Sequence, residues 1–266
     1  RVNVVLPPVA LDGPTMTIRK FPKEKMTMER MIELGALDEE AAGFLKLLVK
    51  ARYNIFVSGG TGAGKTTFLN ALSDYIPKTE RIITIEDSAE LQLRDVENLV
   101  RMETRNSNVE GENAITIRDL IKASLRMRPD RVIVGEVRDS AAIDMLTAMN
   151  TGHDGSLSTG HANSAYDMIT RLESMVLMGI ELPMEAVRRQ IASAVDIIIH
   201  LGRLRDGSRK VTEICEVTGI ENGQVQLMSL YEFEEQAEKG RKTVQGHLKK
   251  KAALQNKEKL KRAGLE

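Results

Sequence analysis

Gly59-Gly60-Thr61-Gly62-Ala63-Gly64-Lys65-Thr66 is the stretch that decides the fold. It fits the pattern G-x-x-x-x-G-K-[ST], a loop that curls round phosphate with its amide N–H groups turned inward. Glycines at 59, 60, 62 and 64 permit positive φ and close approach of backbone to ligand, with Thr61 and Ala63 between them. A helix starting near Lys65 adds partial positive charge at its first turn. Lys65 is expected to reach the β- and γ-phosphates of ATP, and the Thr66 hydroxyl to bind Mg²⁺. Thr67 reads as a neighbour of the phosphates. A bare glycine-rich turn has the same composition. The apolar strand expected over Asn54–Ser58 and the helix from Lys65 to about Tyr75 are what favour the phosphate reading.

Outward from this loop, Arg81–Glu86 and Arg131–Glu136 read as further strands. Thr116–Met127 is an amphipathic helix with Ile117, Leu120, Ile121 and Leu125 on its inner side, stopped by Pro129. Ser140–Asn150 is another helix, capped by Asp139 or Ser140. Strands alternating with helices predict an α/β fold with a parallel sheet and right-handed crossovers. After residue 195 the pattern changes. Asp196–Leu201, Lys210–Thr218 and Gln224–Tyr231 read as strands separated by Asp206-Gly207 and Asn222-Gly223, which favour hairpins. Antiparallel additions to the sheet are expected there.

Upstream, Asp38 can cap a helix to about Ala51, with Phe44, Leu47, Leu48 and Ala51 on one face. Thr27–Leu34 is a shorter helix closed by Gly35. Arg1–Leu6 and Thr15–Phe21 read as extended pieces, the second ended by Pro22. Residues 1–36 are therefore read as the truncated end of a smaller N-terminal domain plus a linker, and residues 37–266 as the main domain. Residues 239–262 hold ten Lys/Arg against Glu258, a basic run whose plain reading is a solvated terminal helix.

Composition narrows the function. With 266 residues, 42% hydrophobic and 29% charged, one large domain can bury a core. Aromatics are 3% and Trp is absent, which disfavours a base-stacking surface; the formal charge of zero calls for no polyanionic partner. Cys215 is the one cysteine, so neither an internal disulfide nor a cysteine-rich zinc site is available. No apolar run reaches the 18 or so residues of a membrane span.

Two strands deliver carboxylates to the carboxyl end of the expected sheet, where ligands bind in open α/β folds. They are Thr84-Ile85-Glu86-Asp87 and Ile133-Val134-Gly135-Glu136. Hydrolysis needs a carboxylate that orients or deprotonates water, and often one that holds Mg²⁺ through water. Glu86 and Glu136 suit these tasks, and spacing does not choose the base between them. Charged residues also end strands for no catalytic reason; two of them downstream of a phosphate loop tip the balance. His153 and His161 stand in a small, glycine-rich segment, Thr151–Asn163, with a short strand possible in its middle. It can sense the γ-phosphate through hydrogen bonds. Two capped turns are the plainer reading, and a zinc pair lacks a suitably spaced third ligand.

The loop Ser58–Thr67, the box Thr84–Leu91 (TIEDSAEL), Leu125–Arg138 (LRMRPDRVIVGEVR) and Met149–Asn163 (MNTGHDGSLSTGHAN) together resemble the type II/type IV secretion ATPase superfamily, most closely the CpaF-type ATPases of Flp (Tad) pilus assembly. Further similarity runs through Arg171–Met178, Gln190–Arg209, Val211–Val217 and Arg1–Phe21. The resemblance implies a RecA-like P-loop core in a homohexamer, with nucleotide between the N- and C-terminal domains of one subunit and close to the next. It implies MgATP hydrolysis that powers type IV (Flp/Tad) pilus assembly or secretion. The ring would be cytoplasmic, at the inner face of the cell membrane, partnered by an inner-membrane platform protein and by no specific nucleic acid. Glu86 falls in the acidic box, Glu136 ends an atypical Walker B motif, and His153 and His161 form the histidine box. Arg94, Arg101 and Arg105 lie where the family places cationic residues near phosphates; solvated surface charges are the alternative. The chain departs from the family pattern at Asn106, Asp139-Ser140 and Gly160.

Two other functions are distinguishable. A nucleic-acid translocase needs a basic track or stacking aromatics, and the body of the chain has neither. A nucleotide-gated adaptor binds ATP without turnover, and the pair Glu86 and Glu136 argues against it.

Overall fold

The computed structural model describes residues 2–20, 25–107, 112–236 and 243–265. Arg1, Phe21 and Pro22 lie outside these, as do residues 239–242 of the basic run. Strands β1 (Val2–Val5) and β2 (Thr15–Ile18) pair antiparallel in a small sheet of their own. Helix α1 (Met28–Glu33) follows, its first turn capped by the Thr27 side chain. Met28 and Met31 sink into the core of the larger body, so α1 is docked on that body. Helix α2 (Glu39–Lys50) starts where Asp38 accepts a hydrogen bond from the Ala41 amide at 2.8 Å. Its buried face is Ala41, Ala42, Leu45, Leu48 and Val49. Leu47, expected on that face, is 40% exposed, because the stripe is centred one residue away.

The main sheet begins with β3 (Ile55–Gly59), buried along its whole length, which runs into helix α3 (Lys65–Ser73). Next come β4 (Arg81–Glu86), β5 (Asn98–Glu103), helix α4 (Ile117–Ser124), β6 (Arg131–Val134), helix α5 (Ala141–Asn150), β7 (Leu157–His161), helices α6 (Ala165–Leu177) and α7 (Met184–Ala194), and β8 (Ile197–Arg203). These strands lie parallel in the order β8-β3-β7-β6-β4-β5. β9 (Arg209–Glu221), β10 (Gln224–Glu235) and β11 (Gly246–Lys250) add an antiparallel wing beyond β8. The β9–β10 turn places Asn222 and Gly223 at φ +52° and +73°, the paired positive φ of a type I′ turn.

Strand periodicity splits the core into two layers. Ile55 and Val57 face α1–α3, while Phe56 faces α4–α7 on the other side. Each such side chain contributes about 1.5–3 kcal/mol on burial. Six parts of the chain differ from the sequence expectations. The edge strand β5 and the helices α6 and α7 were not anticipated. β6 ends at Val134, leaving Gly135 and Glu136 beyond the ladder. The helix over 116–127 tightens into a 3₁₀ turn at Leu125–Met127 before Arg128 takes a left-handed φ of +54°. The basic run is no solvated tail: β11 extends the sheet, with Lys249 pairing with Glu234 of β10, Lys250 with Glu40 and, just past the strand, Lys251 with Glu232, and only then follows the short helix α8 (Glu258–Arg262).

Candidate nucleotide site

Because β3, β4, β6 and β7 run parallel, their carboxyl ends deliver the glycine loop, Glu86, Glu136 and His161 to one edge of the sheet. A side chain at Gly59 is impossible: a Cβ there would lie 2.6 Å from the Leu201 carbonyl oxygen. Gly64, at φ +94°, turns the loop into α3, and no side chain caps that helix. Its first-turn amides are therefore left for a ligand, as expected at an anion site. The loop borders a cavity of about 700 Å³, with Glu136, Arg138, His161 and Arg209 on its walls.

Lys65 is buried, and its Nζ donates to the carbonyls of Gly59 and Gly60 at 3.0 and 3.1 Å. Nζ also lies 3.1 Å from His161 Nδ1. Burial lowers the Lys65 pKa, with Glu136 opposing the shift. His161 is likewise held below its usual 6.5 by burial, so the ring is neutral near pH 7. An ammonium donating into Nδ1 puts the ring proton on Nε2, which faces Glu136 Oε1 at 3.0 Å.

Glu136 is held by Arg138. Arg138 Nη2 donates to Oε2 at 3.1 Å, while Nη1 stands 3.1 Å from Asp87. The hydrogen bond that Arg138 donates to Glu136, together with that carboxylate's charge, pushes the guanidinium pKa further up. Oε1 lies 3.0 Å from both Arg138 Nε and His161 Nε2, but neither N–H is aligned on it. Among the described residues it is a buried carboxylate oxygen with no hydrogen-bond donor. Such an atom is costly unless a water or ligand satisfies it.

Glu86 is 4% exposed, and its Oε1 accepts from the amides of Glu90 and Leu91 at 2.9 and 3.0 Å. Burial raises its pKa; those amides and Arg101 pull the other way. Gly135 lets the two carboxylates approach, since a Cβ there would meet Glu86 Cγ at 3.0 Å. Thr66, Glu86 and Glu136 share a second cavity of about 80 Å³. A hydroxyl and two carboxylates are oxygen donors that suit hydrated Mg²⁺.

The three arginines scatter. Arg101 Nη2 donates to the Leu91 carbonyl at 3.2 Å, beside the amide that holds Glu86. Arg94 is exposed, and its carbonyl takes Lys78 Nζ at 3.0 Å. Arg105 donates to the Asn113 carbonyl at 2.9 Å. Neither Arg94 nor Arg105 lines the cavity with Lys65. His153 sits before β7 and His161 ends it, so the histidine box spans the sheet and cannot act as one metal pair. Two site residues carry little signal of their own. Arg138 is one of many arginines, distinguished only by following Glu136. Arg209 reaches the loop from the far side of a hairpin, donating to the Gly62 carbonyl at 2.7 Å.

A family model for the type II/IV secretion system protein matches residues 1–263. The chain belongs to the type II/IV secretion system protein family. A Mycobacterium tuberculosis protein named for conjugal transfer is 40% identical to this secretion-family chain over 231 residues, 87% of the chain and 65% of the relative. The chain thus spans about 65% of the length of such relatives. The VirB11 ATPase of the Brucella suis type IV secretion system, crystallised with sulphate, matches with a TM-score of 0.61 and 32% identity, over 81% of this chain and 70% of VirB11. The pilus retraction motor PilT with bound ADP matches with a TM-score of 0.56 and 25% identity, over 86% and 58%. The large mixed sheet of the secretion-family chain is that of these ATPases, with a RecA-like core.

Proposed function

We propose that this secretion-family chain binds MgATP against Gly59–Thr67 and hydrolyses it to ADP and phosphate. The observation that carries the reading is the bare Oε1 of Glu136, set across one cavity from the Lys65 ammonium. Lys65 exchanges the carbonyls of Gly59 and Gly60 for the β- and γ-phosphates. Arg138 holds Glu136 through Oε2, with His161 Nε2 standing 3.0 Å from Oε1. Oε1 accepts a proton from the attacking water, and such base catalysis is worth about 10²–10⁴-fold. Glu86 has its carboxylate tied to two amides, so Glu136 is the better placed base. The Thr66 hydroxyl and, through water, Glu86 and Glu136 would hold Mg²⁺, which would supply charge neutralisation on the phosphates. His161 reports the state of the γ-phosphate through its contact with Lys65.

The same reading makes the protein a homohexameric motor for type IV (Flp/Tad) pilus assembly or secretion, at the cytoplasmic face of the inner membrane and partnered by a platform protein. Its support is the family membership together with the names of the relatives, VirB11 and PilT among them. Among the described residues no helix is long and apolar enough to cross a membrane. Residues 37–266 form the ATPase domain, and residues 1–36 a smaller unit and its linker. The separate β1–β2 sheet supports that division. Arg94 and Arg105, away from their own cavity, are available to the site of a neighbouring copy.

Titration calorimetry tests the binding step. ATP uptake that requires Mg²⁺ and is accompanied by phosphate release is the expected result. No uptake of triphosphate by the folded protein overturns the reading.

A further inference from the structure

A second cation besides Lys65 rests on a carbonyl of the glycine loop, and the proposed chemistry leaves it unused. Arg209 reaches the loop from the hairpin between β8 and β9. That hairpin is tight. The Leu204 amide donates to the Ser208 carbonyl at 2.8 Å, and the Gly207 amide to the Leu204 carbonyl at 2.9 Å. Its exit is fastened as well: Lys210 Nζ donates to the Gly35 carbonyl at 2.7 Å, and the Val211 amide to the Ala36 carbonyl at 2.8 Å. From this base the exposed Arg209 side chain runs beside Gly64, where a Cβ would stand 3.4 Å from Arg209 Cδ. Its Nε then donates to the Gly62 carbonyl at 2.7 Å.

The peptide joining Gly62 to Ala63 is thereby held at both of its polar atoms. Its N–H, on Ala63, donates to the Gly60 carbonyl at 3.2 Å. In a planar trans peptide the C=O and the N–H point in opposite directions. Drawing the carbonyl toward the hairpin therefore turns the amide into the loop. Gly62 and Gly64 take φ of +73° and +94°, while Ala63 between them stays out of the positive-φ region. Such alternation gathers amides into an anion-binding concavity.

We propose that Arg209 is a positioning residue: through the Gly62 carbonyl it presets the Gly62–Ala63 peptide with its N–H turned inward, ready for the phosphates of a nucleotide. The proposal rests on the ATPase reading. The phosphates take the Ala63 amide from the Gly60 carbonyl, which is also one of the resting places of Lys65. The Arg209 bond survives that exchange, because it is made by the opposite atom of the peptide. A loop held in this shape beforehand loses less freedom on binding. The gain is equal for ground state and transition state, so it shows in affinity and KM and not in kcat.

The test compares Arg209→Gln, Arg209→Lys and Arg209→Ala in the full chain. Gln places an amide nitrogen where Nε stands and removes the charged head. Lys keeps a positive charge but puts carbon at that place, and Ala removes both. Hydrogen exchange of nucleotide-free protein supplies a readout independent of turnover: the Ala63 amide exchanges about 10-fold faster in Arg209→Ala. In the same variant MgADP affinity by titration calorimetry falls about 10-fold and KM for ATP rises alike, with kcat within about two-fold of wild type. Arg209→Gln stays within about three-fold of wild type in each measurement, while Arg209→Lys follows Ala. The opposite order, Lys near wild type and Gln as poor as Ala, overturns the positioning role and makes Arg209 a charge in direct contact with phosphate. A kcat loss at unchanged KM, or Ala63 exchange that is the same in every variant, overturns it too. A wild type that binds MgADP without hydrolysing ATP, with exchange and affinity following the donor, refutes the ATPase reading and leaves the positioning role standing.

Discussion

The two ends of the same parallel strands treat buried polar groups in opposite ways. At the amino-terminal end the polar side chains of Asn54, Arg131 and Lys259 are satisfied. Asn54 donates to the carbonyls of Met149 and Ala194 and accepts from the amides of Gly155 and Ser156. Arg131, with no exposed surface, is gripped by Glu80 at 2.5 and 3.1 Å and by the Val49 carbonyl at 2.7 Å. Lys259 of α8 bridges Asp154 and Asp196 at 2.8 and 2.6 Å. At the carboxyl end, Glu136 Oε1 is buried without a donor, Lys65 is parked on loop carbonyls, and α3 has no side-chain cap. One end holds the sheet together; the other keeps its polar groups open for a partner that binds.

That contrast predicts opposite responses to mutation. Lys65→Ala at the open end abolishes ATP hydrolysis and strongly weakens nucleotide binding, while the protein melts no lower than wild type, because a desolvated ammonium has been removed. Turnover near wild type in a phosphate-release assay breaks the assignment of Lys65. Glu136→Gln keeps ATP binding and slows hydrolysis by about 10²-fold or more, the loss expected for a general base. Unchanged turnover moves that task to Glu86.

At the closed end, Arg131→Met lowers stability by about 3 kcal/mol, since it strands Glu80 and a buried carbonyl. Denaturant unfolding measures it, and the kcat of the fraction still folded stays near wild type. A large kcat loss with intact stability would erase the distinction between the two ends.

The smallest effect sharpens the comparison most. Burial raises the Glu86 pKa, so its ionised form costs stability at neutral pH. Glu86→Gln keeps the acceptor for the Glu90 and Leu91 amides without that charge. The variant is expected to melt above wild type at pH 7 and to hydrolyse ATP more slowly. A raised folded pKa means that the folded state holds the proton over the window between 4.5 and the higher value. Wild-type stability therefore falls as pH rises through that window, and the gap between variant and wild type closes as pH is lowered to 4.5. A melting difference independent of pH from 4.5 to 7 removes the desolvation argument.

The open end was the more legible of the two in the sequence. Its residues follow strands directly, so Gly59–Thr66, Glu86 and Glu136 announce themselves by position after Asn54–Ser58, Thr84-Ile85 and Ile133-Val134. The closed end depends on partners far apart in the chain. Asn54 contacts residues near 150 and 194, and Arg131 contacts Val49 and Glu80; local periodicity carries none of this. β5 escaped notice because, as an edge strand, it keeps Asn98, Arg101 and Glu103 exposed and lacks a long apolar run. The lysine run was misread for a related reason. Charge alone does not reveal that Glu232 and Glu234 of the neighbouring strand are waiting to neutralise it. Arg94, Arg101 and Arg105 share a sequence neighbourhood but not a destination, since β5 carries Arg101 along the sheet while the other two lie outside it.

The position of β3 has a consequence for how the molecule comes into being. Its hydrogen-bonded neighbours begin at Leu157 and Ile197, each more than a hundred residues downstream of Ile55. Closing such distant pairings is slow, because the chain entropy is lost before any contact repays it. The glycine loop is thus synthesised well before β7 and β8, the strands that give it a rigid seat. A nascent chain stopped before β8 carries the nucleotide motif intact yet has no firm surface on which to grip a nucleotide.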